Sequence, residues 1–176
     1  MANRFIMTAF GKDRVGIVAD VTRLLYESDC NLEDTTMSML ADEFTLSLLF
    51  TSPNQDIEDQ LNRDCRRLEL DKGISAFVRP LQPLQPQPRD SYKTCTLHIE
   101  GLDQAGIVYK TSQFLAEHGL NIVQLDSSSG ASSQSGATIY TMTIHVQVPE
   151  ERPFDQLEKD LSAVADELNV DILLAR

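Results

Sequence analysis

The sequence predicts an α+β protein made of two β-α-β-β-α-β units, each a four-stranded antiparallel sheet with two helices on one face. Three observations carry this reading. An internal repeat of period ninety runs through the 176 residues. Alternating apolar residues mark strands that bury one face only, and apolar stripes at helical spacing mark two helices in each copy. The repeat is plainest where Gly11-Lys12-Asp13-Arg14-Val15-Gly16-Ile17-Val18 returns as Gly101-Leu102-Asp103-Gln104-Ala105-Gly106-Ile107-Val108, identical at five of eight positions. The same register pairs Leu25 with Leu115, Glu27 with Glu117 and Asn31 with Asn121, so a whole unit is duplicated rather than a short motif.

Taken in chain order, the first strand alternates Phe5, Met7 and Ala9 with other residues, as Cys95, Leu97 and Ile99 do in the second copy. The next segment sets Ile17, Val18, Val21, Leu24 and Leu25 on one helical stripe, mirrored by Ile107, Val108, Thr111, Phe114 and Leu115. A hairpin follows, from Met37 and Met39 through Ala41-Asp42-Glu43 into Phe44, Leu46, Leu48 and Phe50, with Thr45 and Ser47 facing away. A second amphipathic helix carries Ile57, Leu61, Cys65 and Leu68, or Phe154, Leu157, Leu161, Val164 and Leu168 in the second copy. Ile74 to Arg79 and Val170 to Ala175 close the units. Two helices and strands buried on one face leave the ferredoxin-like arrangement, because crossovers are right-handed and both helices then lie on one side. The other sheet face, with Thr45, Ser47, His98, Thr141, Thr143 and His145, is polar enough to meet water or a partner.

These elements place the first domain at residues 1–79, a proline-rich linker at 80–91 and the second domain at 92–176. Prolines at nearly every third linker position favour polyproline II, at about 3.1 Å per residue, so the segment reads as a semi-rigid spacer. A P-x-x-P ligand is the alternative reading. The serine-rich stretch Ser127 to Gly136 widens the second hairpin and is expected to be a mobile, solvated loop.

Composition narrows the function. A net charge of −12 argues against direct nucleic-acid binding, which needs cations to displace counterions from phosphates. No apolar run approaches the length of a membrane span, and the protein is expected in the cytoplasm. Cys30, Cys65 and Cys95 fall in no C-x-x-C pair and read as reduced, buried thiols. His98, His145 and Glu100 could sketch a metal site, but the first copy has Thr8 and Leu49 there, so surface histidines are the reading adopted. Gly11 and Gly16 have P-loop spacing, yet Ile17 and Val18 stand where Lys and Ser/Thr are required. No nucleophile with its base is visible, so neither an enzyme nor a cofactor is expected.

The loop from the first strand into the first helix is the most informative feature. Asp13 stands where an N-cap belongs, and Gly16 admits close approach to the backbone. The approaching group is either a neighbouring strand or the carboxylate of a small ligand held by free N–H groups at the positive end of the helix. Asn31 and Asn121 follow the same helix in each copy. Each is either a left-handed C-cap or a polar contact for the ammonium and carboxylate of an α-amino acid. Recurring together in both copies, loop and Asn favour an amino-acid-like ligand.

The G-x-D-x-x-G-I-V loop, the stretch Cys30-Asn31-Leu32-Glu33-Asp34, and Met39-Leu40-Ala41-Asp42-Glu43-Phe44-Thr45 resemble the tandem ACT-domain proteins of the glycine cleavage system transcriptional repressor type. That resemblance implies a regulator without catalysis, in which glycine or a related amino acid alters contact with a transcriptional regulator. It also implies pairing of modules, including a homodimer, with ligands where the first loop meets strand two of a partner. Carried over, the ligand-binding residues are Asp13, Arg14, Val15, Gly16, Ile17, Asn31 and Leu32, with Asp103, Gln104, Ala105, Gly106, Ile107, Asn121 and Ile122 in the second copy. The second copy departs at Gln104, for Arg14, and at Val123-Gln124, for Glu33-Asp34. A structural interaction module without a small ligand is the alternative function.

Overall fold

The computed structural model describes residues 3–54, 56–82, 91–131 and 136–176, and the chain divides into two compact units, Met1–Pro86 and Gln87–Arg176. The first unit runs β1 (Asn3–Lys12), α1 (Ile17–Glu27), β2 (Asn31–Leu40), β3 (Glu43–Ser52), α2 (Ile57–Lys72) and β4 (Ser75–Pro80). The second runs β5 (Tyr92–Leu102), α3 (Ile107–Glu117), β6 (Asn121–Ala131), β7 (Thr138–Pro149), α4 (Phe154–Leu168) and β8 (Val170–Ala175). Strand orders are β2-β3-β1-β4 and β6-β7-β5-β8, antiparallel throughout, as the repeat requires.

Each unit has its own core. In the first, Phe5, Met7 and Ala9 of β1 and Phe44, Leu46, Leu48 and Phe50 of β3 meet Val21 and Leu25 of α1 and Leu61 and Cys65 of α2. The second buries Cys95, Leu97 and Ile99 against Leu115, Leu157 and Leu161. Val108, expected on the buried stripe of α3, is exposed instead. Thr111 occupies the position of Val21 and is fully buried with its hydroxyl unpartnered among the described residues.

Several local expectations are corrected. Asp13 does not cap α1; Gly16 is the N-cap, at φ 86°, with no side-chain cap, and Gly106 caps α3 likewise at φ 99°. Asn31 and Asn121 are not left-handed C-caps, because Asp29 and Gly119 take the positive φ and the two Asn open β2 and β6 in strand pairing. Ser127 to Ala131 is strand rather than loop, paired with Thr138 to Met142; the remaining expectation of mobility falls on residues 132–135, outside the described residues, as residues 83–90 of the linker do.

The open sheet face of the second unit carries His98, Thr143 and His145, as expected. That of the first unit also carries exposed Phe10 and Phe77, stacked at 6.1 Å, which the strand pattern did not announce. β2 is an edge strand whose ten residues are all exposed. Its register sets Thr35, Met37 and Met39 beside core residues Leu48, Leu46 and Phe44, so this row, with its two exposed methionines, lies on the helix side without being covered by α1.

Candidate functional site

The two helix mouths are built alike. β1 ends at Lys12, and the Asp13 N–H donates to the Asp42 carbonyl at 2.8 Å, tying the loop to the β2–β3 turn. Its counterpart in the second unit, the Asp103 N–H, donates to the Thr138 carbonyl at 3.0 Å. The chain then turns through Arg14 and Val15, both exposed, into Gly16 in the left-handed region. A Cβ on Gly16 or Gly106 would have no atom within 4 Å. The glycines are therefore required by backbone conformation and not by a neighbouring strand. Close strand approach belongs instead to Gly101, where a Cβ would sit 2.6 Å from Val170 Cγ1.

With no side-chain cap, the first turn keeps its donors. The N–H groups of Gly16, Val18 and Ala19 have no acceptor among the described residues, nor do those of Gly106, Val108 and Tyr109. These donors and the helix dipole give each mouth a positive potential suited to an anionic group.

Charge distinguishes the two mouths. In the first, Asp20 lies in the opening turn of α1 and meets Arg14 at 2.6 Å and Lys72 at 3.9 Å. The Arg14 hydrogen bond holds the Asp20 carboxyl below the usual carboxylate range against some desolvation, with Lys72 assisting. In the second, Lys110 replaces Asp20 and pairs with Glu167, while Gln104 donates to the Leu168 carbonyl. The second mouth thus has no carboxylate in its opening turn.

Asn31 and Leu32 lie at the other end of α1 from the loop. Asn31 pairs with Thr51, which pairs with Arg4, eight residues down β1 from Lys12. At about 3.3 Å per residue that is roughly 26 Å. Within one unit the loop and the Asn line no common pocket. The Asn31 side chain has no partner among the described residues, whereas Asn121 donates to Gln147 Oε1 at 3.0 Å. A bulge follows each pair, at Glu33 and at Val123, and Arg4 holds the Glu33 carboxylate at 2.7 Å. Among the described residues, cavities lie elsewhere, of about 390 Å³ between α1 and α2, about 640 Å³ along α2 and β4, and about 290 Å³ between α3 and α4. None of the sequence-derived site residues lines them.

The remaining candidates are quiet. His145 Nδ1 lies 3.0 Å from Thr96 Oγ1 and His98 Nδ1 lies 3.3 Å from Thr143 Oγ1, each bonded across strands. No group of three metal-binding side chains occurs among the described residues. Burial pushes the Cys65 thiol up to about 11 and raises Cys30 and Cys95, so none is an activated nucleophile. No helix among the described residues is long and apolar enough to cross a membrane.

Residues 3–78 match the ACT domain. Over 165 residues the chain is 26% identical to the glycine cleavage system transcriptional repressor of Escherichia coli (strain K12), covering 93% of this chain and 85% of that protein. A UPF0237 protein of Neisseria meningitidis serogroup B is 32% identical over 74 residues, 39% of this chain and 82% of that protein. A crystal structure of an unknown protein from Galdieria sulphuraria matches with TM-score 0.80 and 28% identity, covering 99% of this chain and 98% of that one.

Proposed function

The chain belongs to the ACT-domain family, as a two-unit protein of the glycine cleavage system transcriptional repressor type, and from that premise we propose that it is a non-enzymatic regulator that binds a small amino acid, glycine or a close relative, and acts through contacts with a transcriptional regulator. The observation that most supports this is the duplicated helix mouth, where a glycine in the left-handed region replaces a side-chain cap and leaves N–H donors free for the ligand carboxylate. Asp13 to Ile17 and Asp103 to Ile107 supply those donors.

Asn31 and Leu32, or Asn121 and Ile122, contribute from a second copy of the chain. When two β2 edges run antiparallel side by side, the start of one lies against the end of the other, next to its Asp13–Asp42 tie. The exposed Asn31 amide then offers donor and acceptor to the ligand's charged groups. Effector binding in that seam couples ligand to pairing, and pairing to the surface offered to the regulator.

A thermal-shift screen of the full chain against the twenty amino acids tests this. A ligand at a hundred times its Kd stabilises the folded state by about 2.7 kcal/mol, and glycine or a near relative is expected to raise Tm, with the gain lost in Gly16→Ala combined with Gly106→Ala. No shift with any amino acid would refute the reading. That the loop residues line none of the three cavities described above favours a second reading, an interaction module without ligand; in that case partner capture persists in the same double variant without any amino-acid dependence.

A further inference from the structure

The groove between α1 and α2 of the first unit has no assigned role, and its chemistry is specific. Leu24 and Leu68, each 9% exposed, form an apolar floor. Charged side chains of both signs rim it. Some are already engaged: Asp20 with Arg14 and Lys72, and Asp64 with Arg67 at 3.6 Å. The side chains of Arg23, Glu27 and Asp71 also line the groove without a side-chain hydrogen bond or an ion pair within 4.0 Å among the described residues, although Arg23 is near enough to Asp20 to help hold its carboxyl down. Beside the four charges already paired, one cation and two anions without a close ion pair thus face an apolar strip in a space of about 390 Å³, within the range of roughly 300–1,000 Å³ of small-ligand sites.

The equivalent groove of the second unit shows what the same architecture looks like when its charges are internally used. There Gln113 replaces Arg23 and donates to Glu117, the counterpart of Glu27, at 2.9 Å. Lys110 reaches across to Glu167, Phe114 replaces Leu24, and the space falls to about 290 Å³. The duplicated groove is smaller in the second unit, where Glu117 is paired with Gln113, and larger in the first, where Glu27 has no such partner.

We propose that the α1–α2 groove of the first unit binds an α-amino acid with a cationic side chain, its carboxylate on Arg23, its two ammonium groups between Glu27 and Asp71, and its methylenes on Leu24 and Leu68. The guanidinium fork matches a carboxylate in two parallel hydrogen bonds. The ligand's aliphatic stem lies along the leucines while its charged ends stay near water, as long cationic side chains do on protein surfaces. The site shares Asp20 and Lys72 with the surroundings of the first helix mouth but uses neither to hold the ligand, and it does not depend on the reading proposed there.

An amide-resolved NMR titration of the full chain with L-lysine tests the assignment, with norleucine, lacking the side-chain cation, and cadaverine, lacking the carboxylate, as comparison probes. Lysine is expected to saturate with Kd of about 0.1–1 mM, since ion pairs left partly in water are individually weak. The shifts fall on residues 23–28 of α1 and 64–72 of α2, and both comparison probes bind about tenfold more weakly, equivalent to roughly 1.4 kcal/mol. Arg23→Gln and, separately, Glu27→Gln lower lysine affinity by a similar factor, with the spectrum itself reporting that each variant is folded. Gly16→Ala leaves lysine binding unchanged, which separates this site from the helix mouth. Absence of saturation by ~20 mM lysine, a ceiling well above millimolar affinity, would overturn the proposal. So would equal binding of the comparison probes, or shifts confined to other elements.

Discussion

At the residue scale, the two glycines of each repeated loop do different work. Gly16 and Gly106 adopt positive φ in open space, so their substitution costs conformational energy only. Gly16→Ala is expected to lower stability by about 1 kcal/mol, the usual cost of holding an L residue in the left-handed region. Gly101 has ordinary φ but lies against Val170, so Gly101→Ala is an overpacking change, expected to cost about 1–3 kcal/mol. Chemical denaturation of the two variants checks the order, and equal costs would mean that one mechanism serves both positions. Asp20 gives a pH-dependent test. Its carboxyl is held below its ordinary value by Arg14, so its contribution is fully present above the unfolded pKa of about 3.9 and is lost as pH falls through the lower, folded value. Asp20→Asn is therefore expected to be less stable than wild type at neutral pH and to converge with it as the carboxyl protonates, read from urea midpoints between pH 7 and pH 2.5. Parallel curves at all pH values would contradict the assignment.

At the scale of elements, the tight hairpin between β2 and β3 has a visible defect. Ala41 holds φ 56°, a conformation that glycine or asparagine adopts more readily. Ala41→Gly is expected to stabilise the first unit by roughly 0.5–1 kcal/mol, the left-handed cost relieved less the added freedom of the unfolded chain. A lower Tm in that variant would show that the turn is not strained. The elements themselves were legible because strand alternation and helical stripes report burial directly: Phe5, Met7, Ala9 and Cys95, Leu97, Ile99 are buried as their spacing demands. The helix start was misread at Asp13 because capping preference is a side-chain rule, whereas the chain spends Asp13 to Val15 on a turn and caps the helix with the backbone of Gly16. Ser127 to Ala131 was misread because serine and glycine have little strand propensity of their own; pairing with β7 overrides it. The uncovered row on β2 was invisible, since periodicity says which residues share a face and not how far a helix extends over it.

At the scale of the whole molecule, duplication was the strongest signal, and divergence between the copies is where function is expected to differ. The loop and Asn31 were legible as a recurring pair, but their separation by the length of α1 was not, because helical periodicity does not say which end of the sheet a connection returns to. That separation makes a second edge strand part of the proposed site. Met37→Lys with Met39→Lys, both at exposed positions on β2, is expected to abolish the proposed pairing between copies while leaving the fold intact. Sedimentation of the variant checks this, and an unchanged mass distribution would locate pairing elsewhere. The most direct test of the account is an amide-resolved NMR titration of the full chain with glycine. The account expects saturable shifts at Gly16, Val18 and Ala19, or at their counterparts Gly106, Val108 and Tyr109, together with the opening residues of β2 or β6. Saturable binding that leaves both helix mouths unmoved, or no binding of glycine or any other amino acid, would contradict it.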